Sequence, residues 1–96
     1  MRKKPQGLGS PTVSVANVRN IGDSHATATV TIGNRTEDVR FHLYIPESGL
    51  MYAEAVIPRN RKDIYLWINP HIDTVSPLVC QLVMKNVDIL IVGPNA

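Results

Sequence analysis

The sequence predicts an all-β fold, an antiparallel sandwich of about seven short strands behind an extended N-terminal arm. Three observations lead there. From Val13 onward apolar and polar residues alternate with a period of two, the repeat of a strand with one buried face. Gly, Asn, Asp and Pro interrupt that alternation about every 8–12 residues, the spacing of sandwich and barrel strands. At 96 residues and 44% hydrophobic content, the chain is one domain with one core.

The elements follow in order. Residues 1–11, MRKKPQGLGSP, hold two prolines, two glycines and three cations and form the arm; the sandwich spans residues 12–96. Val13, Val15 and Val18 mark a first strand over residues 12–18, closed by a turn at Asn20-Ile21-Gly22-Asp23. In the second, Ala26, Ala28, Val30 and Ile32 alternate with Thr27, Thr29 and Thr31, a small apolar face backed by a threonine ladder. Gly33-Asn34-Arg35-Thr36 turns the chain. The third strand points Val39, Phe41, Leu43 and Ile45 inward and Arg40, His42 and Tyr44 outward. Residues 46–49 close it, and residues 50–57 make the fourth. A basic turn, residues 58–63, leads to a fifth strand in which Ile64, Leu66 and Ile68 alternate with Tyr65 and Trp67. After a longer loop to Pro77, two closing strands are expected at residues 78–84 and 87–92, flanking Lys85-Asn86.

Residues 78–92 are also free of Pro and Gly and long enough for a helix. Yet Val79, Val83, Val87, Ile89, Ile91 and Val92 are β-branched, and apolar residues fall on every side. A helix that is apolar all round needs complete burial, which a chain this short can hardly supply, so two strands are expected. The run ATVTIGNRTEDVRFHLYI followed by VIPRNRKDIYLWINP, within residues 12–93, resembles the disulfide-free immunoglobulin-like modules of the CARDB and PapD-like types. That resemblance implies an immunoglobulin-like sandwich. It rests on strand lengths, so it carries over no functional residue.

The net charge of +2 is unevenly spread: residues 1–20 carry +4 and the remainder −2. A secretory signal needs about 7–15 apolar residues behind the basic cluster, and none stand there. Synthesis without a signal peptide and residence inside the cell are expected. The longest apolar runs are strand-length, so no membrane contact is expected. A single cysteine excludes an internal disulfide and a cysteine-built zinc site.

Little chemistry is visible, and no enzyme activity, cofactor or metal is expected. Asp23-Ser24-His25 gathers the three residue types of a catalytic triad, but neighbours in extended chain face opposite ways. No G-x-S-x-G elbow is present either. His25, His42 and His71 lack ligand spacing, and His71 with Asp73 makes half a site at most. Cys80, among Leu78, Leu82 and Met84, reads as a small buried hydrophobe. Asn34-Arg35-Thr36 matches a glycosylation triplet and reads as a turn.

The stronger signal is a surplus of apolar residues on faces that ought to be wet. Tyr52 and Val56, Tyr65 and Trp67, and Leu90 and Val92 each lie opposite an apolar face of their own strand. Exposed together they would form a patch unusual for a monomer, which points to contact with other protein subunits. Arg2, Lys3, Lys4 and Leu8 of the arm would reach onto such a neighbour. The expected function is a non-enzymatic structural or interaction subunit, either a homo-oligomer or seated on a capsid-type scaffold. Virion accessory proteins, capsid decoration and minor structural subunits among them, suit this size and architecture. The alternative is a nucleic-acid-binding accessory protein using the arm together with Arg59, Arg61 and Lys62. Arg40-Phe41-His42-Leu43-Tyr44 is the one run that interleaves basic and aromatic residues as an RNA-binding sheet does. A third reading, a sugar- or peptide-binding module, has only the fold behind it.

Overall fold

The structure, a computed structural model, describes residues 11–92, with the backbone alone for residues 87–92. Arg2, Lys3, Lys4 and Leu8, and the side chains of Leu90 and Val92, therefore lie outside the described residues.

Four strands pair in chain order into one antiparallel sheet: β1 (Val13–Gly22), β2 (His25–Ile32), β3 (Arg35–Tyr44) and β4 (Tyr52–Val56). Two tight turns set the register. Asp23 and Ser24 both have positive φ, the pattern of a type I′ hairpin, and place His25 opposite Gly22. Gly33 alone has positive φ in the next turn, the type II′ pattern, and Ile32 pairs with Arg35 across it. The alternation expected of β2 and β3 is present except at Ile45, expected inward, which lies beyond the end of β3 and is exposed. Ala26, Ala28, Val30, Ile32, Val39, Phe41 and Leu43 are buried on one face.

β1 departs from strict alternation. Between Ala16 and Arg19, and again between Arg19 and Gly22, three steps along β1 match two along β2. Each interval contains an asparagine at φ 54°, Asn17 and Asn20, in the left-handed region that Asn tolerates. These two bulges explain the inward spacing of Val13, Val15, Val18 and Ile21, all packed on the core. They also move the β1–β2 turn from the expected residues 20–23 to Asp23-Ser24.

The fifth, sixth and seventh strands of the expected sandwich are helix, and the described residues hold four strands rather than seven. α1 (Lys62–Ile68) passes through a short 3-10 turn (Asn69–His71) into α2 (Ile72–Val92). Pro70 stands at the start of that turn, where no amide hydrogen is needed. The chain is thus mostly β, with one open antiparallel sheet covered on one face by helix. On α1 the buried residues are Ile64 and Ile68, four apart, while Leu66 is 60% exposed. On α2 Val75, Val79 and Val83 recur every four residues and are fully or almost fully buried. Burying such a side chain contributes about 1.5–3 kcal/mol. A β-branched residue lowers helix propensity by only about 0.7 kcal/mol or less. Packing wins. α2 approaches the edge strands β1 and β4 more closely than the central pair, so the sheet curls about it. Phe41 fills the middle of that hollow and is completely buried.

The β4 edge is partly closed by the same helix. The outward amide of Ala53 donates to Ser76 Oγ of α2 at 2.9 Å. At the other end, Asp63 of α1 accepts from Arg35 Nη2 at 2.7 Å and from Arg61 at 3.0 Å. Arg35 also bonds Glu37 at 2.9 Å and lies over the Trp67 ring, 5.2 Å from its centroid. The guanidinium groups of Arg61 and then Arg35 hold the Asp63 carboxyl well below the ordinary carboxylate range. A depressed folded-state pKa contributes stability that is present above the unfolded value and lost as pH falls towards the folded one. Urea midpoints measured from pH 6 to pH 2 should therefore fall below about pH 4, and Asp63→Asn should flatten part of that slope.

Candidate functional site on the open sheet face

The face of the sheet turned away from α2 carries Ser14, Ala16, Arg19 and Gly22 from β1, and His25 with Thr27, Thr29 and Thr31 from β2. β3 adds Thr36, Asp38, Arg40, His42 and Tyr44, and β4 adds Tyr52, Glu54 and Val56. Nothing among the described residues covers it. Part of it is internally satisfied. Thr29 Oγ1 donates to Asp38 Oδ1 at 2.8 Å, Arg19 pairs with Asp38 at 2.8 Å, and Thr31 bonds Thr36 at 2.9 Å. The Thr29 hydroxyl and then Arg19 lower the Asp38 pKa and keep that carboxylate ionised.

Across the rest of the face runs a ladder of four rings. Tyr52 stacks on Tyr44 at 5.0 Å between centroids, Tyr44 meets His42 at 4.2 Å, and His42 stacks on His25 at 4.7 Å. Register makes the ladder: Tyr44 pairs with Tyr52 and His42 with His25, while Tyr44 and His42 are two apart on one strand. His25 Nδ1 lies 2.9 Å from the Asp23 carbonyl oxygen, which orients the ring. Tyr44 OH donates to Glu54 at 3.3 Å. Rings stacked on one another occupy their own inner faces. They offer edges along the ladder and free faces only at its two ends.

Arg40 stands beside this ladder, two residues from His42 and opposite Thr27 and Val56. A hollow lined in part by Arg40, Val56, Ile57 and Pro58 adjoins a second lined by Ile57, Pro58, Arg59, Lys62 and Tyr65. The basic turn thereby continues the surface that Arg40 begins. Among the described residues Arg40, Arg59 and Lys62 make no ion pair, whereas Arg19, Arg35 and Arg61 do.

The residues singled out from the sequence are therefore divided. Arg59 and Lys62 point to solvent, and Arg61 is held by Asp63. Tyr52 and Val56 lie on the open face of β4, Tyr65 is exposed on α1, and Trp67 is half-buried beneath Arg35. Two of the four lie on β4 and two on α1, and the hollows that Val56 and Tyr65 line share Ile57 and Pro58. Sequence reasoning named Arg40, His42 and Tyr44 as an interleaved run, but Phe41 and Leu43 within it belong to the core. It missed His25, because His25 faces His42 only through the β2–β3 register, in which Ile32 pairs with Arg35, and no single segment states that pairing.

The remaining candidates are quiet. Cys80 is buried, and burial raises its thiol pKa. Among the described residues no three His, Cys, Asp or Glu side chains are grouped to hold a metal ion. No described helix is long and apolar enough to cross a membrane. Comparison with protein-family models, curated proteins and solved structures finds no match to this chain.

Proposed function

We propose that the chain is a non-enzymatic binding module for single-stranded nucleic acid. One observation carries this reading: Arg40, without an ion-pair partner among the described residues, stands beside a ladder of stacked rings on an uncovered sheet face, and Arg59 and Lys62, likewise without one, line a hollow next to the one Arg40 lines. Cations of this kind take phosphates, and planar rings take bases. Of the acids on the face, Asp38 is paired with Arg19, while Glu54 keeps its charge and accepts a hydrogen bond from Tyr44.

Fluorescence anisotropy of a labelled 20-nucleotide DNA strand, titrated with full-length protein, tests the reading. Three phosphate contacts give a log–log salt slope of about −2, an affinity loss of about 20-fold from 50 to 200 mM salt. The triple variant Arg40→Ala, Arg59→Ala, Lys62→Ala should lose most of that slope, and Arg61→Ala should keep it. Affinity independent of salt, or unchanged in the triple variant, overturns the assignment.

A second reading, a structural subunit of a larger assembly of the kind that decorates a capsid, is favoured by a different observation. At the β3–β4 loop Ile45 is 71% and Leu50 78% exposed, beside Met51 and the half-exposed Met84 of α2. Absence of strand binding together with a closed oligomer that persists in high salt would favour this reading instead.

A further inference from the structure

The geometry points to a nucleobase subsite at the His25 end of the ring ladder, an inference that rests on the nucleic-acid reading above. Along the open face of β1 the side chains come every third residue, at Ala16, Arg19 and Gly22, because of the two bulges. Arg19 is engaged with Asp38. The next position, opposite His25, is a glycine. A Cβ built on Gly22 meets nothing within 4 Å, so β1 offers no side chain to cover the outer face of the His25 ring. The ladder is left unfinished at the one cross-strand position where a fifth ring would continue it.

The space there is a cavity of about 360 Å³ lined by Asn20, Gly22, Asp23, His25, Thr27 and Arg40. Its chemistry suits a flat ligand that carries an anion. The imidazole face provides a stacking surface, already oriented by the bond from Nδ1 to the Asp23 carbonyl. The Asn20 amide, the Thr27 hydroxyl and the Asp23 carboxylate supply donors and acceptors for a base edge. Arg40, in the same lining, has no ion-pair partner among the described residues and takes the phosphate. Every base has a π-face, so the subsite binds bases broadly, and base–aromatic stacking of this kind contributes about 1–3 kcal/mol per base.

The subsite is tested on full-length protein by following the imidazole carbon-bound protons of His25 and His42 in an NMR titration. Adenosine 5′-monophosphate and ribose 5-phosphate are the probes. The mononucleotide should move the His25 signals saturably and those of His42, enclosed between His25 and Tyr44, far less. Ribose 5-phosphate, which lacks the ring, should leave His25 nearly unmoved. Gly22 has no positive φ, so Gly22→Phe fits the strand and seats a ring on His25. That variant should bind the mononucleotide about fivefold or more weakly while keeping the salt slope for the DNA strand. Equal responses to the two probes, or undiminished mononucleotide binding by Gly22→Phe, would overturn the subsite and leave the phosphate-binding rim standing. Absence of response to the mononucleotide and to the DNA strand alike would sink both readings.

Discussion

Phe41→Ala will destabilise the fold by about 3–5 kcal/mol, a large share of the 5–15 kcal/mol that holds an ordinary domain together. The reason lies in the shape of the core. α2 sits closest to the edge strands, and the hollow above β2 and β3 is left to side chains. On β2 those side chains are small where Ala26 and Ala28 face the helix, so the volume is filled chiefly from β3. Phe41 pairs with Ala26 on one side and Ala55 on the other, and no part of it reaches solvent. Its loss leaves a cavity that small neighbours on both sides cannot close, so the transfer and cavity contributions add. Urea unfolding followed by far-ultraviolet circular dichroism should show a much lower midpoint with an unchanged slope, and Phe41→Leu should recover most of it. A Phe41→Ala variant within about 1 kcal/mol of the parent would mean that α2 does not cover this face.

The half of the chain before residue 57 was largely readable, and the physical reason is local. In β2 and β3 the alternation of Ala26 to Ile32 and Val39 to Leu43 is strict, and a one-residue slip would expose every apolar side chain. Gly33-Asn34 and Asp23-Ser24 are local turn signals too, but only the first lies where the sequence placed it. On β1 the sequence predicts a strand from Val13, Val15 and Val18 that ends at residue 18, with Ile21 in the turn that follows. It is a strand that continues through two bulges, each held by an asparagine in a conformation most residues resist. The chain after residue 61 was misread because its propensity and its packing disagree. Short apolar runs rich in Val and Ile satisfy both periods, and only the sheet's need for a cover decides between them.

The open face shows the same limit. Individual residues were visible: Arg40, His42 and Tyr44 as a run, Arg59 and Lys62 as a basic turn. Their relations were not. Arg61 stands between Arg59 and Lys62 in sequence, yet it belongs to the Asp63 and Glu37 cluster. The sequence groups Tyr52 with Tyr65 and Trp67 and does not show that Tyr52 stacks on Tyr44 at the end of a ladder. What brings His25 to His42 and leaves Gly22 beside them is the register of two hairpins. Register is a property of pairs of strands, and a single segment does not state it.

Residues 64–68 supply the sharpest discrimination between the expected strand and the observed helix. In a strand Ile64, Leu66 and Ile68 share one face, and a charge at any of them strikes the core. In α1 the buried pair is Ile64 and Ile68, four apart, with Leu66 60% exposed on the far side. Ile68→Asp would place a carboxylate where the side chain is 1% exposed, among apolar neighbours. An isolated buried carboxylate either remains charged without a partner or takes up a proton, and both routes are costly. The lost burial adds about 1.5–3 kcal/mol, and together these will unfold most of the protein at neutral pH. Leu66→Asp, by contrast, will change stability by no more than about 0.5 kcal/mol. Thermal unfolding of the two variants side by side measures the difference. Equal damage from both would restore the strand and remove the second layer's helix; a large effect at 68 with none at 66 has no explanation in a strand.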